Sequence, residues 1–249
     1  MRNGDRVGSA SGVVSVEWMT ADGSLLRAGI GSCAAVTFEA ARPVRRFPSY
    51  RGQRHFPGLW WSATNDGHIG YESWLERDHV MLLDFDPAVV ALASQPLRFG
   101  FEIDGRGLSH IPDYFARLDD GRAVVVDVRP AGRIGPSDAV KFSAAAAACA
   151  QVEGWSFRLV HEIDPVLTAN VRWIAAYRHP RHAQAQWSAP LLEAFAEPRA
   201  LIEGVEQVGD PIAVLPVCYH LVWGGVLQMD LARAPLSDAT AVWSRGGHR

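Results

Sequence analysis

The sequence predicts an α/β (α+β) protein: a mixed core of helices and strands, preceded by a β-hairpin and followed by a helical unit with a small β-wing. Three observations carry this. Short runs that alternate apolar and polar residues recur between turn signals in the first half of the chain. A long Ala-rich stretch near residue 145 reads as helix. After Asp164 the pattern changes to short helical segments. The expected divisions are residues 1–69, a hairpin and an Arg/aromatic arm; residues 70–163, the core; and residues 164–249, a winged-helix-like domain.

Taken in order, Val13 to Trp18 and Ser24 to Ala28 flank the turn-like Ala21-Asp22-Gly23 and predict the hairpin. Arg42, Arg45, Arg46, Arg51 and Arg54 then interleave with Phe47 and Tyr50, and His55, Phe56, Trp60 and Trp61 follow. Guanidinium groups beside aromatic faces suit a phosphate backbone and unstacked bases. The alternative is a solvated loop packed on the core by its aromatics.

Residues 72–84 place Trp74, Leu75, Val80, Met81 and Leu82 near helical spacing, with Glu72 and Glu76 one turn apart. Three strand-like runs follow, Leu97 to Ile103, His110 to Leu118 and Arg122 to Val128, separated by Asp104-Gly105 and Asp119-Asp120-Gly121. They read as an antiparallel meander. Ser137 is the expected N-cap of the Ala-rich helix running to about Val152, Gly154 ends it, and Trp155 to Glu162 is a strand. The order over residues 70–163 is helix, three strands, helix, strand. Beyond it, helices are expected at residues 165–177, 189–196, 198–208 and 212–223. Strands 226–231 and 240–244 follow the Gly224-Gly225 turn, a winged-helix arrangement of the kind that docks DNA or protein.

Composition narrows the functional classes. The 249 residues carry a net charge of −3, which gives no whole-protein basic field, so DNA binding must rest on local patches. Of the 24 basic residues all but Lys141 are Arg, and Arg forks match phosphate oxygens. There is no long apolar run and no apolar N-terminal segment, so the chain is expected to be cytoplasmic, with neither a membrane span nor a secretory signal. Cys33, Cys149 and Cys218, odd in number and far apart, are expected to be reduced thiols in apolar surroundings.

Three carboxylates fall on adjacent elements: Glu76 on the first helix, Asp113 entering a strand, and Asp127 ending Val124-Val125-Val126. Antiparallel pairing across the Asp-Asp-Gly turn can bring Asp113 and Asp127 together. Such oxygens make a hard site for Mg²⁺ or Mn²⁺, which would acidify a bound water and neutralise charge on a phosphoryl group. Each carboxylate alone also reads as a surface ion-pair partner. His110 is either a lining residue of that site or a hydrogen-bonded structural histidine. His179 and His182 are too weakly patterned to form a metal pair, His220 reads as core, and Gln95 reads as strand-entry packing.

The stretch His110-Ile111-Pro112-Asp113 with Val126-Asp127-Val128-Arg129, on that element order, resembles the PD-(D/E)XK nuclease superfamily. Tyr71 to Asp78, Leu83-Asp84-Phe85-Asp86-Pro87, Ser94-Gln95-Pro96 and His220-Leu221-Val222-Trp223 more narrowly resemble TnsA-like transposon endonucleases, over about residues 40–245. The resemblance implies a restriction-endonuclease-like core in which Glu76, Asp113 and Asp127 hold the metals, with Glu72 as the alternative on the helix. Where the family has Lys, this chain has Arg129, which supplies charge and hydrogen bonds but cannot act as a base. Lys141, on the following helix, is the candidate for a migrated catalytic amine.

The resemblance implies a Mg²⁺- or Mn²⁺-dependent endodeoxyribonuclease subunit of a heteromeric transposase, cutting double-stranded DNA at transposon ends. It would act beside a DDE-type transposase, with an AAA+ regulator as a further partner. Arg42, Arg45, Arg46, Arg51 and Arg54 would hold the DNA backbone. Two rivals are a catalytically inactive DNA-binding or assembly module, which the Lys-to-Arg change favours, and a stand-alone restriction or defence endonuclease. The strip Ile212, Val214, Leu215, Val217, Leu221, Val222 and Trp223 is more apolar surface than a small three-helix unit is expected to bury.

Overall fold

The computed structural model of the chain describes residues 14–45, 56–103 and 105–245. It is a mixed α/β structure, with six α-helices and four β-sheets among the described residues. Two compact units are distinguished: the described residues up to Val80 with Ala88–Glu162, and Met81–Pro87 with the described residues from Ile163 onward.

In the first unit, β1 (Ser15–Met19) and β2 (Leu25–Gly29) form the N-terminal hairpin. Its turn is tightened by Gly23 at φ 95° and by the Ser24 N–H donating to Thr20 Oγ1 and Asp22 Oδ1. This hairpin is not a separate arm. β1 also pairs with β6 (Leu97–Ile103), which pairs with β7 (Arg106–His110), giving the order β2-β1-β6-β7. A second hairpin, β3 (Gly58–Ser62) with β4 (Gly67–Tyr71), takes up Trp60 and Trp61, which the sequence reading left after the basic loop.

The mixed sheet has the order β10-β9-β8-β5, from β5 (Val89–Ser94), β8 (Tyr114–Leu118), β9 (Ala123–Val128) and β10 (Trp155–Val160). Pairs β5/β8 and β8/β9 are antiparallel, and β10 runs parallel to β9. Two sequence expectations are corrected here. The first core strand is β5, not Leu97 to Ile103, and the run His110 to Leu118 divides into β7 in one sheet and β8 in the other. Pro112 stands at the division, where it has no N–H to continue a ladder.

Helix α1 (Trp74–Phe85) begins two residues later than expected, behind Ser73. Helix α2 (Pro136–Cys149) is capped by Gly135 rather than Ser137. Pro136 fills the first helical position, and the Gly135 N–H donates to Asp138 Oδ2 at 3.4 Å. Every residue of β9 is buried, as its near-continuous apolar run requires of a strand flanked on both sides. Ala123 and Val125 join Val16, Phe38, Phe99, Phe115, Ala145 and Trp155 in one core between the two larger sheets and α2. Each fully buried large side chain there contributes roughly 1.5–3 kcal/mol.

The second unit holds α3 (Pro165–Ala175), α4 (Ala185–Ala194), β11 (Arg199–Ala200), α5 (Leu201–Val208), α6 (Pro211–Trp223), β12 (Leu227–Met229) and β13 (Ala241–Ser244). Asp164 caps α3, accepting from the Val166 and Leu167 N–H groups at 2.8 and 3.0 Å, and Asp210 caps α6 through the Ile212 N–H. The sheet has three strands, β11-β13-β12, not the two expected, because Arg199 and Ala200 pair with Val242 and Ala241. Val214, Val217, Val222 and Trp223 of the apolar strip are buried within this unit, whereas Ile212 is 86% exposed. His220 is half-buried, not core, with Nδ1 2.8 Å from the Tyr177 carbonyl.

Cys33, Cys149 and Cys218 are buried free thiols, and burial pushes those of Cys149 and Cys218 up to about 12. No helix among the described residues is long and apolar enough to cross a membrane.

Candidate functional site

Tyr114 of β8 stands opposite Val126 of β9, so the next antiparallel position brings Asp113 opposite Asp127. The Val128 N–H donates to Asp113 Oδ2 at 2.8 Å, tying the two strand ends together through the carboxylate itself. Asp127 is fully buried. Strand alternation sets it on the same face as Ala123 and Val125, toward the core and α2. There His110 Nε2 lies 2.6 Å from Asp127 Oδ2, and the imidazole stands edge-on to Phe142 of α2 at 5.5 Å. The other oxygen, Asp127 Oδ1, is buried with no hydrogen-bond partner among the described residues. An orphaned buried acceptor of this kind is a place for a cation or an ordered water.

Glu76 is also buried, at 7% exposure, but by a local device. Ser73-Trp74-Leu75-Glu76 is a capping-box sequence. Ser73 Oγ accepts the Glu76 N–H at 3.2 Å and donates to Glu76 Oε1 at 2.9 Å, while Glu76 Oε2 accepts the Glu72 N–H at 2.8 Å. Both carboxylate oxygens are therefore engaged at the start of α1. Glu72 lies in the bend before the helix, not on its face, and Arg45 pairs with its Oε2.

Electrostatically, Asp113 is the centre of the group. Burial, then the charges of Glu76 and Asp127, hold its carboxyl well above the ordinary value of 3.8, against the opposing pull of Arg129 and the Val128 N–H. Burial likewise raises Glu76, opposed by its two cap hydrogen bonds. Arg129 is the compensating charge. Its Nη1 donates to the Val128 carbonyl at 2.8 Å and stands 3.6 Å from Asp113 Oδ2, with the guanidinium 5.9 Å from the Phe142 ring centroid. The backbone beneath it is pinned: the Arg129 N–H donates to the Val160 carbonyl, and His161 Nδ1 lies 2.8 Å from the Arg129 carbonyl.

Glu76 and Arg129 border a cleft of about 510 Å³ whose lining also includes Arg45, Glu72, Val128 and Arg133, while Asp113 and Asp127 lie buried behind it. Of the expected backbone-binding arginines, Arg45 reaches the cleft and Arg42 lies beside Gly23 of the N-terminal turn. Arg46, Arg51 and Arg54 lie outside the described residues. Lys141 is half-buried on α2 next to Phe142 and forms no ion pair with Asp113 or Asp127 among the described residues. Among those residues no three His, Cys, Asp or Glu side chains converge as a metal-binding group. Glu76 has both carboxylate oxygens engaged in its own cap, and Asp127 has one of its two taken by His110. The sequence pattern does not single out Arg133, although it lies only six residues after Asp127, nor the cap role of Ser73-x-x-Glu76.

Compared by sequence, the chain matches no family model and no curated protein.

Proposed function

We propose that this chain is a metal-dependent DNA endonuclease subunit with a PD-(D/E)XK core, working beside a transposase at transposon ends. The observation that carries the reading is the Asp113/Asp127 pair at the shared end of β8 and β9, followed within two residues by Arg129. The surrounding order supports it: α1, β5, β8, β9, α2, β10, with β10 parallel to β9 and the hairpin β6/β7 inserted between the first two strands. In the second unit the order α4, β11, α5, α6, β12, β13 supports the winged-helix reading, a shape suited to docking DNA or a partner subunit.

The residues fit a divalent cation. The donors are hard oxygens, Asp127 Oδ1 is a buried acceptor without a partner among the described residues, and one guanidinium is too little positive charge for three neighbouring carboxylates. Asp113 and Asp127 would hold Mg²⁺ or Mn²⁺, with Glu76 the nearby third carboxylate. When bound, the ion would acidify water and neutralise charge on the phosphoryl group.

The chain's own residues do the rest. Asp113 and Asp127 fix the site against two strands, and Arg129 presents hydrogen-bond donors to the non-bridging oxygens of the scissile phosphate as charge develops on them. Arg129 remains protonated, so proton removal falls to a carboxylate or to solvent. Arg45 and Arg133, on the cleft wall, contact the flanking backbone.

The test is to mix the protein with Mg²⁺ or Mn²⁺, transposon-end duplex DNA and a DDE-type transposase, which this reading expects to be encoded beside it. Strand cleavage is expected, and it falls by at least about 10² in Asp113→Ala and Asp127→Ala. Cleavage unaffected by either substitution contradicts the assignment. Efficient cutting without any transposase favours the stand-alone nuclease.

A further inference from the structure

Gln95 is buried, at 1% exposure, and holds φ at +48°, a left-handed conformation that side-chain-bearing residues avoid unless the surroundings impose it. Every polar group of this residue whose bonding the structure gives points to the candidate site or its rim. Its N–H donates to the Asp113 carbonyl at 2.9 Å. Its own carbonyl accepts the Val44 N–H at 2.9 Å. Its side-chain Oε1 accepts from Arg45 Nε at 3.0 Å. Arg45 Nη2 pairs with Glu72, leaving Nη1 without a partner among the described residues, and the Glu72 N–H donates to Glu76 Oε2. A continuous path of hydrogen bonds thus runs from the Asp113 backbone through Gln95 and Arg45 to the cap of α1.

We propose that Gln95 is a positioning residue that aims Arg45 across the cleft so that its free edge binds a phosphate of the DNA backbone beside the scissile one. The inference rests on the nuclease reading above. Arg45 is suited to this: its side chain is 44% exposed, it lines the cleft, and its Nε and one Nη are already fixed from behind. An arginine held in this way loses little conformational freedom on binding, whereas an untethered one must be ordered by the ligand. The strained backbone is the cost of turning one residue toward Asp113, Val44 and Arg45 at once.

The strain supplies a clean test. Gln95→Gly relieves the positive φ, which offsets the buried packing lost and the entropy glycine adds to the unfolded chain, so the fold should be retained while the side-chain tether is deleted; a melting curve checks this. Duplex DNA affinity is measured by fluorescence anisotropy without metal, and cleavage by the Mn²⁺-supplemented mixture with transposase. Gln95→Gly and Arg45→Ala should each weaken duplex binding by about tenfold, the scale of one lost charged contact, and the double variant should be no weaker than either alone. Gln95→Glu, which keeps an acceptor for Arg45 Nε, should restore binding toward wild type.

Wild-type binding and cleavage with an undiminished Gln95→Gly variant, or additive losses in the double variant, overturns the positioning role while leaving the nuclease reading intact. Absence of both binding and cleavage in the wild type removes the two together.

Discussion

His110 Nε2 and Asp127 Oδ2 are 2.6 Å apart, in a contact where the carboxylate is fully buried and the imidazole nearly so. The pairing holds Asp127 by one oxygen and leaves the other, Oδ1, buried without a partner among the described residues. Loss of His110 would strand a buried carboxylate, whose cost is far larger than the worth of an exposed pair. His110→Ala is therefore expected to lower stability by about 3 kcal/mol in urea denaturation, and Asp127→Ala in the same background to restore part of it. Additive losses in that double-mutant cycle would argue against the coupling.

The pH dependence has a definite sign. Burial and the charges of Glu76 and Asp127 raise the Asp113 carboxyl in the folded state, so the folded chain keeps a proton that the unfolded chain releases above about 3.8. That contribution to stability is complete below the unfolded value and is lost as pH rises through the elevated folded value. The metal-free protein should therefore melt at progressively lower temperature as pH climbs out of the acid range. Asp113→Asn should flatten this slope, and a slope identical to wild type contradicts the crowding of charge at Asp113.

Ser73 touches Glu76 only through the α1 cap. Ser73→Ala should cost about 1 kcal/mol of stability. Cleavage should fall too, because the Glu76 carboxylate loses one of the bonds that orient it. Circular dichroism melting and the cleavage assay together separate the two effects, and full activity in a destabilised variant would relieve Glu76 of any role in the chemistry.

Under the proposed nuclease reading, Arg129 and Lys141 compete for the role of the cation beside the carboxylates. The guanidinium stands 3.6 Å from Asp113 and lines the cleft, while Lys141 has no ion pair with either strand-end carboxylate among the described residues. Arg129→Ala is expected to reduce turnover by about 10² or more, and Lys141→Ala to change it by no more than a few-fold. The reverse pattern gives the role to Lys141.

Much of this architecture was legible in the residues. Asp113 faces Asp127 because the Asp119-Asp120-Gly121 turn fixes the register between β8 and β9, and turn chemistry is local. The N-terminal hairpin and the Ala-rich helix are legible for the same reason. What was not legible is which strands share a sheet: Leu97 to Ile103 has the alternation of a core strand but pairs with β1, a partner eighty residues earlier. Val89–Ser94, the true first core strand, hides behind the helix end. At the site, the left-handed Gln95 carries no local signal because no glycine or asparagine marks it. The partner of Asp127 was not legible either, because His110 arrives from a different sheet.

The central claim, that Asp113 and Asp127 together form a cation site, is tested most directly by titrating Mn²⁺ into the metal-free protein and following it by isothermal calorimetry and electron paramagnetic resonance. The account predicts saturable binding that raises the melting temperature of the wild type, lost in both Asp113→Asn and Asp127→Asn although each variant remains folded. Binding of equal affinity and stoichiometry in those variants would contradict it.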